Sequence, residues 1–345
     1  MERRRIGVMG AGSIGCFVGA HLAAAADVTL VGRPGILDAV AADGLTAVDL
    51  RGRRRTVPAS ELRLSTEASA VMDCDIVLLC TKSTVTADAA AMIAPFLEPD
   101  TIVVSLQNGL RNATAVDEAL AQTFPSRAGR PLVLSGMVPF NVVRSAPAAW
   151  DQTVSGRIVV KDHPRVEPLV RAAGAGGLRI DVDPDMRSIL FAKLLLNLNN
   201  AVNALSGEPL ARQLRDRDHR RVLAACQDEA LAVARAASVS PARLTPLPPA
   251  AMPALLRSPT PLFATLARTQ LTIGPDARSS MADDLAAGRP TEIGELQGAI
   301  SDLGDRFGVA TPVSRALTAL VREAEQAGDV RRRWSGRELR RAVAA

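Results

Sequence analysis

Residues 6–22, IGVMGAGSIGCFVGAHL, pass from a short apolar strand (6–10) into a helix that reads on to about Ala25. The turn between them carries Gly10, Gly12 and Gly15 at the spacing G-x-G-x-x-G. Each glycine has its own physical task there. Gly10 permits the tight turn, Gly12 lets a pyrophosphate approach the backbone, and Gly15 lets helix and strand pack closely. The helix N-terminus adds amide donors and the positive end of a dipole, so Ala11, Ser13 and Ile14 belong to the same cradle through their backbone. A second strand, DVTLVGR (27–33), follows at the distance a dinucleotide-binding unit requires. Sites for NAD place Asp or Glu at the end of that strand to bind the ribose 2′-hydroxyl. Here Gly32 and Arg33 stand there, and a guanidinium pairs with a 2′-phosphate, so NADP is expected.

Further strands read at 75–81, 101–107, 131–138 and 178–182, with helical segments near 84–95, 111–122 and 164–173. This alternation predicts an α/β fold with a mainly parallel, doubly wound sheet of Rossmann type. CTKS (80–83) and LQNG (106–109) then fall at strand C-terminal ends, where ligands bind in open sheets. Lys82 and Asn108 are accordingly candidates to meet a nicotinamide ribose or a substrate. From Pro184 the strand signals disappear, and helices read at 185–205, 217–238, 261–272, 279–287, 291–307 and 312–326. A proline-rich interruption (240–253) reads as a loop, and the basic tail as a short final helix. The expected division is 1–183, a nucleotide-binding domain, and 184–345, an all-helical domain completing the site.

The first helix of the second half, KLLLNLNNAVNAL (193–205), sets one lysine among four asparagines. At about 100° per residue, Lys193, Asn197 and Asn200 share one face, while Leu194, Leu195, Leu198, Val202 and Leu205 lie on the other. Neutral amides around a single cation mark a polar face aimed at a ligand. In SSMADDLAAGRPTEIGELQG (279–298), Ser279 or Ser280 caps one helix and Pro290 to Glu292 starts the next.

Composition narrows the class. Hydrophobic residues make up 48% and charged residues 22% of the 345, as in soluble globular chains. The net charge is +5, but much of the excess arginine sits in short clusters and aromatics are only 3%, which leaves few stacking platforms for nucleic acid. No zinc site or serine–histidine constellation arises from the three histidines, and the four cysteines form no C-x-x-C pair. They read as buried thiols in a reducing compartment, and no metal is expected. The N-terminus imitates a secretory signal, with a basic tip followed by an apolar stretch. The spacing of its glycines has the nucleotide-loop explanation instead, so the expected location is the cytoplasm. No other stretch reads as a membrane span. The oligomeric state stays open, a homodimer included.

Taken in order, GAGSIG, CTKS, LQNG, KLLLN and SSMADDLAAGRPTEI resemble the ketopantoate reductases (2-dehydropantoate 2-reductases), over nearly the whole chain. The resemblance implies NADPH-dependent reduction of a 2-oxo acid in pantothenate biosynthesis. By position it makes Lys193 the general acid and Asn197 a substrate-binding amide. Asn108 becomes a residue touching cofactor and substrate, and Ser280 the holder of the substrate carboxylate. Glu292 is the acidic partner near lysine and cofactor, and Lys82 the lysine of the CTKS-type turn. One position departs from the pattern. Ala201 stands where the family often has a further asparagine, and the adjacent Asn200 is the candidate to replace it. The main alternative is a related reductase acting on another small 2-oxo acid. A non-catalytic NADPH sensor would be expected to lack Lys193 or Glu292, and both are present.

Overall fold

The computed structural model describes residues 3–267, 276–328 and 332–344. Two compact units divide the chain, Met1–Met186 and Arg187–Ala345.

Twelve strands build the first unit: β1 Arg4–Met9, β2 Ala26–Val31, β3 Leu45–Val48, β4 Arg54–Val57, β5 Leu62–Ser65, β6 Ile76–Leu79, β7 Ile102–Ser105, β8 Leu132–Met137, β9 Val142–Ala146, β10 Ala149–Gln152, β11 Ile158–Lys161 and β12 Ile180–Asp183. Eight form one sheet in the order β12-β11-β8-β7-β6-β1-β2-β5. It is parallel except where β11 runs antiparallel to β8. Its central strands are apolar on both faces because each face carries its own core. Ile6, Val8, Ile76, Leu78, Ile102 and Val104 point into one core, shared with the helices Ser13–Leu22 and Glu167–Ala175. Val77, Leu79 and Val103 alternate into the other, against the helices Thr86–Ile93 and Asn112–Thr123. That is the doubly wound arrangement expected.

The sequence reading missed β5 and β11 of the main sheet and the whole of a second sheet, ordered β4-β3-β10-β9. Its strands are only four or five residues long, and β4 (RRTV) and β9 (VVRSA) are largely polar or exposed, so they carry little periodic signal. Their core includes Leu45, Ala47 and Val57 with Trp150 of β10, all buried and brought together across the sheet.

Every regular element described in the second unit is a helix, the short Leu210–Gln213 being one the sequence reading did not expect, and other bounds need correction. The expected helix 185–205 is two, Met186–Asn197 and Asn199–Ser206, interrupted at Leu198. The helix expected from residue 291 begins at Gln297 and ends at Phe307; one tight turn, Ile293–Glu295, precedes it. Thr291 explains the delay, since its hydroxyl accepts from the Ile293 N–H (3.3 Å) and its own N–H donates to Glu325 Oε1 (2.7 Å). The proline-rich stretch is not all loop, because Met252–Arg257 is helical. The helix Thr260–Ala267 covers the start of the predicted 261–272, and 268–272 lie outside the described residues. The tail forms the helix Gly336–Ala344.

Arg220 holds part of this unit together without a carboxylate. Fully buried, it donates to the carbonyls of Leu214, Arg215, Leu256 and Ser258 and lies over the Phe263 ring. Carbonyls left over at chain turns thus satisfy a buried guanidinium.

Candidate active site

Sterics around the glycine loop match the three tasks assigned to it. Gly10 has φ +107°, and a Cβ there would lie 2.7 Å from the Thr81 nitrogen. A Cβ on Gly15 would meet the Gly10 carbonyl oxygen at 2.2 Å. At Gly12 a Cβ would touch no protein atom within 4 Å, so that glycine faces open space. Gly12 is also the N-cap of the Ser13–Leu22 helix and offers no side-chain cap, which leaves the first amides to a ligand. Ala11 is buried beneath the loop, whereas Ser13 and Ile14 are half-buried at its rim. These residues fit a pyrophosphate. Gly32 adds a constraint, because a Cβ there would stand 2.5 Å from Ala11 Cβ. Any side chain, a carboxylate included, is thereby excluded at that position. Arg33 is exposed and has no side-chain hydrogen bond or ion pair among the described residues.

Lys82 and Asn108 are both half-buried, just beyond the C-terminal ends of β6 and β7. Gln107 ties their turns together, a role the sequence reading missed. Buried beside Asn108, it accepts from Ser105 Oγ (3.0 Å). It donates to Thr81 Oγ1 (3.0 Å), the Lys82 carbonyl (3.3 Å) and Thr86 Oγ1 (2.7 Å). Thr86 Oγ1 donates onward to Asn112 Oδ1 (2.7 Å), and Asn112 Nδ2 to the Asn108 carbonyl (2.5 Å). Its only sequence signal is a glutamine at a strand end next to a candidate residue.

In the second unit the four asparagines separate into two pairs. Asn203 is fully buried and structural, donating to the Glu208 carbonyl (2.9 Å) and accepting from the Ser279 N–H (2.9 Å). Asn199 donates to Gln213 Oε1 (3.2 Å). Asn197 is buried, while Lys193 and Asn200 are half-buried. The Asn200 side chain makes no hydrogen bond among the described residues, and Ala201 beside it is wholly buried. Burial pushes the Lys193 ammonium from its ordinary 10.5 down to about 8.

Ser279, not Ser280, is the cap of the Ser280–Ala286 helix; its Oγ accepts from the Ala282 N–H (3.2 Å). The same hydroxyl donates to the Asn200 carbonyl (3.3 Å), which ties this helix start to the lysine-bearing segment. Ser280 is exposed, with a hydroxyl that bonds to no described residue. Glu292 is half-buried, and its carbonyl accepts from the Glu295 and Leu296 N–H groups. The histidines are structural: Nδ1 of His21 pairs with the Gly176 carbonyl, Nε2 of His219 with that of Trp334, and Nδ1 of His163 accepts from the Arg165 N–H. All four cysteines are unpaired, and burial pushes each thiol up to about 11 or 12. No cluster that could hold a metal ion occurs among the described residues.

The first unit carries a Rossmann-type glycine cradle, and the second a half-buried lysine, Lys193. Residues 6–165 match the family described as ketopantoate reductase PanE/ApbA, and residues 185–325 match its C-terminal counterpart. The chain belongs to the ketopantoate reductase family. It is similar to the 2-dehydropantoate 2-reductase of Halobacterium salinarum, 31% identical over 94% of this chain and all of that protein. A PanE/ApbA family ketopantoate reductase of Ralstonia eutropha JMP134 has the same fold at 31% identity, with a TM-score of 0.79 over 94% of this chain and 99% of that one. D-mandelate dehydrogenase with NADH and anilino(oxo)acetate shares the fold at 20% identity (TM-score 0.75, covering 94% and 99%).

Proposed function

We propose that the chain is a cytoplasmic, NADPH-dependent 2-dehydropantoate 2-reductase that converts ketopantoate to pantoate for pantothenate biosynthesis. What supports this reading most is Lys193, half-buried on the helix that also carries the buried Asn197, in a chain of this family. Bound NADPH would supply the hydride for the C2 carbonyl. Negative charge then develops on the carbonyl oxygen, where the Lys193 ammonium stabilises it and delivers a proton. Asn197 and Asn200 orient the substrate without competing as charges. Ser280 at a helix start suits the carboxylate, since the adjoining amides favour an anion. Glu292 and Asn108 complete the contacts to lysine, substrate and cofactor. Gly10 to Gly15 hold the pyrophosphate, Arg33 the 2′-phosphate and Lys82 the ribose side. Four unpaired thiols agree with a reducing compartment, and no described helix is long and apolar enough to cross a membrane.

The test is NADPH oxidation by the purified protein over a panel of small 2-oxo acids. Ketopantoate should give the highest kcat/KM. A clear preference for another 2-oxo acid would reassign the substrate and leave the chemistry in place.

A further inference from the structure

Behind the lysine-bearing face, two glutamines reach into the backbone of the interrupted helix. Gln297 is fully buried, and its Nε2 donates to the carbonyl of Leu198 (2.8 Å), the residue between the two helices, which itself keeps helical angles (φ −58°, ψ −22°) and an N–H bond to the Leu194 carbonyl. Gln227, also buried, donates from Nε2 to the Leu195 carbonyl one turn earlier (3.1 Å). In both, Oε1 is buried without a partner among the described residues. Burying half an amide unsatisfied costs stability, and a methionine of similar length would avoid that cost. Side chains that insert into a helical ladder are a known physical cause of breaks and kinks.

What the break separates gives the two amides a purpose. Lys193 and Asn197 precede Leu198; Asn200 follows it, tied through its carbonyl to Ser279 and so to the Ser280 helix start. Gln297 also opens the helix that directly follows the Glu292 turn. We infer that Gln297 and Gln227 are positioning residues: by holding the interruption at Leu198 they fix Lys193 and Asn197 relative to Asn200, Ser280 and Glu292. Substrate anchored after the break then meets the proton donor before it. The inference rests on the proposed role of Lys193, and neither glutamine touches substrate in it.

Gln297→Met and Gln227→Met should lower kcat for ketopantoate about 10-fold or more, since a small misplacement of a donor is costly to the reacting geometry. KM should rise by less than kcat falls, since substrate contacts shift together with the proton donor, and the NADPH Kd should hold, because the glycine cradle is untouched. Ile300→Val, a buried change in the same helix as Gln297, serves as the stability control and should keep wild-type kcat. If Gln297→Met fails to fold, Gln227→Met decides alone. Lys193→Ala is assayed in parallel. With Lys193→Ala inactive, wild-type kcat in the folded glutamine variants overturns this inference and leaves the general acid standing. A loss of kcat in Ile300→Val matching theirs, at equal loss of thermal stability, overturns it as well. If Lys193→Ala is active, both readings fall.

Discussion

Lys193 concentrates the chemistry in one side chain, and its burial has two opposite consequences. The only lysine beyond residue 161, it has no neighbouring lysine to stand in for it. Lys193→Ala should cost kcat on the order of 10²-fold or more, with NADPH affinity nearly unchanged. Arginine keeps the charge but is a poor proton donor, so Lys193→Arg should recover little. With the ammonium held at about 8, the protonated fraction falls as pH rises through that value, so the kcat profile should decline on its basic side there. For stability the sign reverses. The folded pKa lies below the unfolded one, so the burial penalty is fully present below about pH 8 and is relieved as pH rises towards 10.5. The Tm of Lys193→Met relative to the wild type should therefore fall between pH 7 and pH 10, while turnover is lost at both. Arg33 is the second single-residue case. Its replacement by alanine should shrink the preference for NADPH over NADH by about 1–3 kcal/mol, measured as the ratio of their Kd values.

Two loop-to-helix junctions separate binding from folding at the scale of elements. At the first, Gly12→Ala meets no protein atom and should fold normally while weakening NADPH binding. Gly15→Ala meets a backbone oxygen at 2.2 Å and should destabilise the fold itself. Equal Tm losses in the two variants would contradict that division. At the second junction, Ser279→Ala removes a cap and should cost about 1 kcal/mol in denaturant unfolding. Ser280→Ala should leave stability within about 0.5 kcal/mol and raise KM for the 2-oxo acid. Sequence alone left these two serines interchangeable as caps. The choice came from Asn203 and the Asn200 carbonyl, which bond the first serine from residues 76 and 79 positions away.

For the molecule as a whole, the charge balance of 41 basic against 36 acidic residues matters more than any single pair. Both proposed ligands are anions, so a net positive chain gathers them by long-range attraction that salt screens. Raising ionic strength from about 0.02 to 0.2 M should lower kcat/KM for ketopantoate while leaving kcat nearly constant. A kcat/KM independent of salt would mean that encounter owes nothing to net charge.

The amino-acid order by itself determined the glycine cradle, the doubly wound class of the first half and the helical character of the second. All of these rest on local rules, the sterics of a missing Cβ and the 3.6 and 2.0 periodicities, which short stretches of chain carry in full. Only the tertiary structure decided that Gln107 joins the CTKS and LQNG turns, that Ser279 is the cap, and that the lysine helix breaks at Leu198. Each of those depends on a side-chain amide or hydroxyl bonding backbone or side chains distant in sequence, the Gln297 to Leu198 bond spanning 99 positions. An amide carries no mark of its eventual partner, because any buried carbonyl satisfies it equally well.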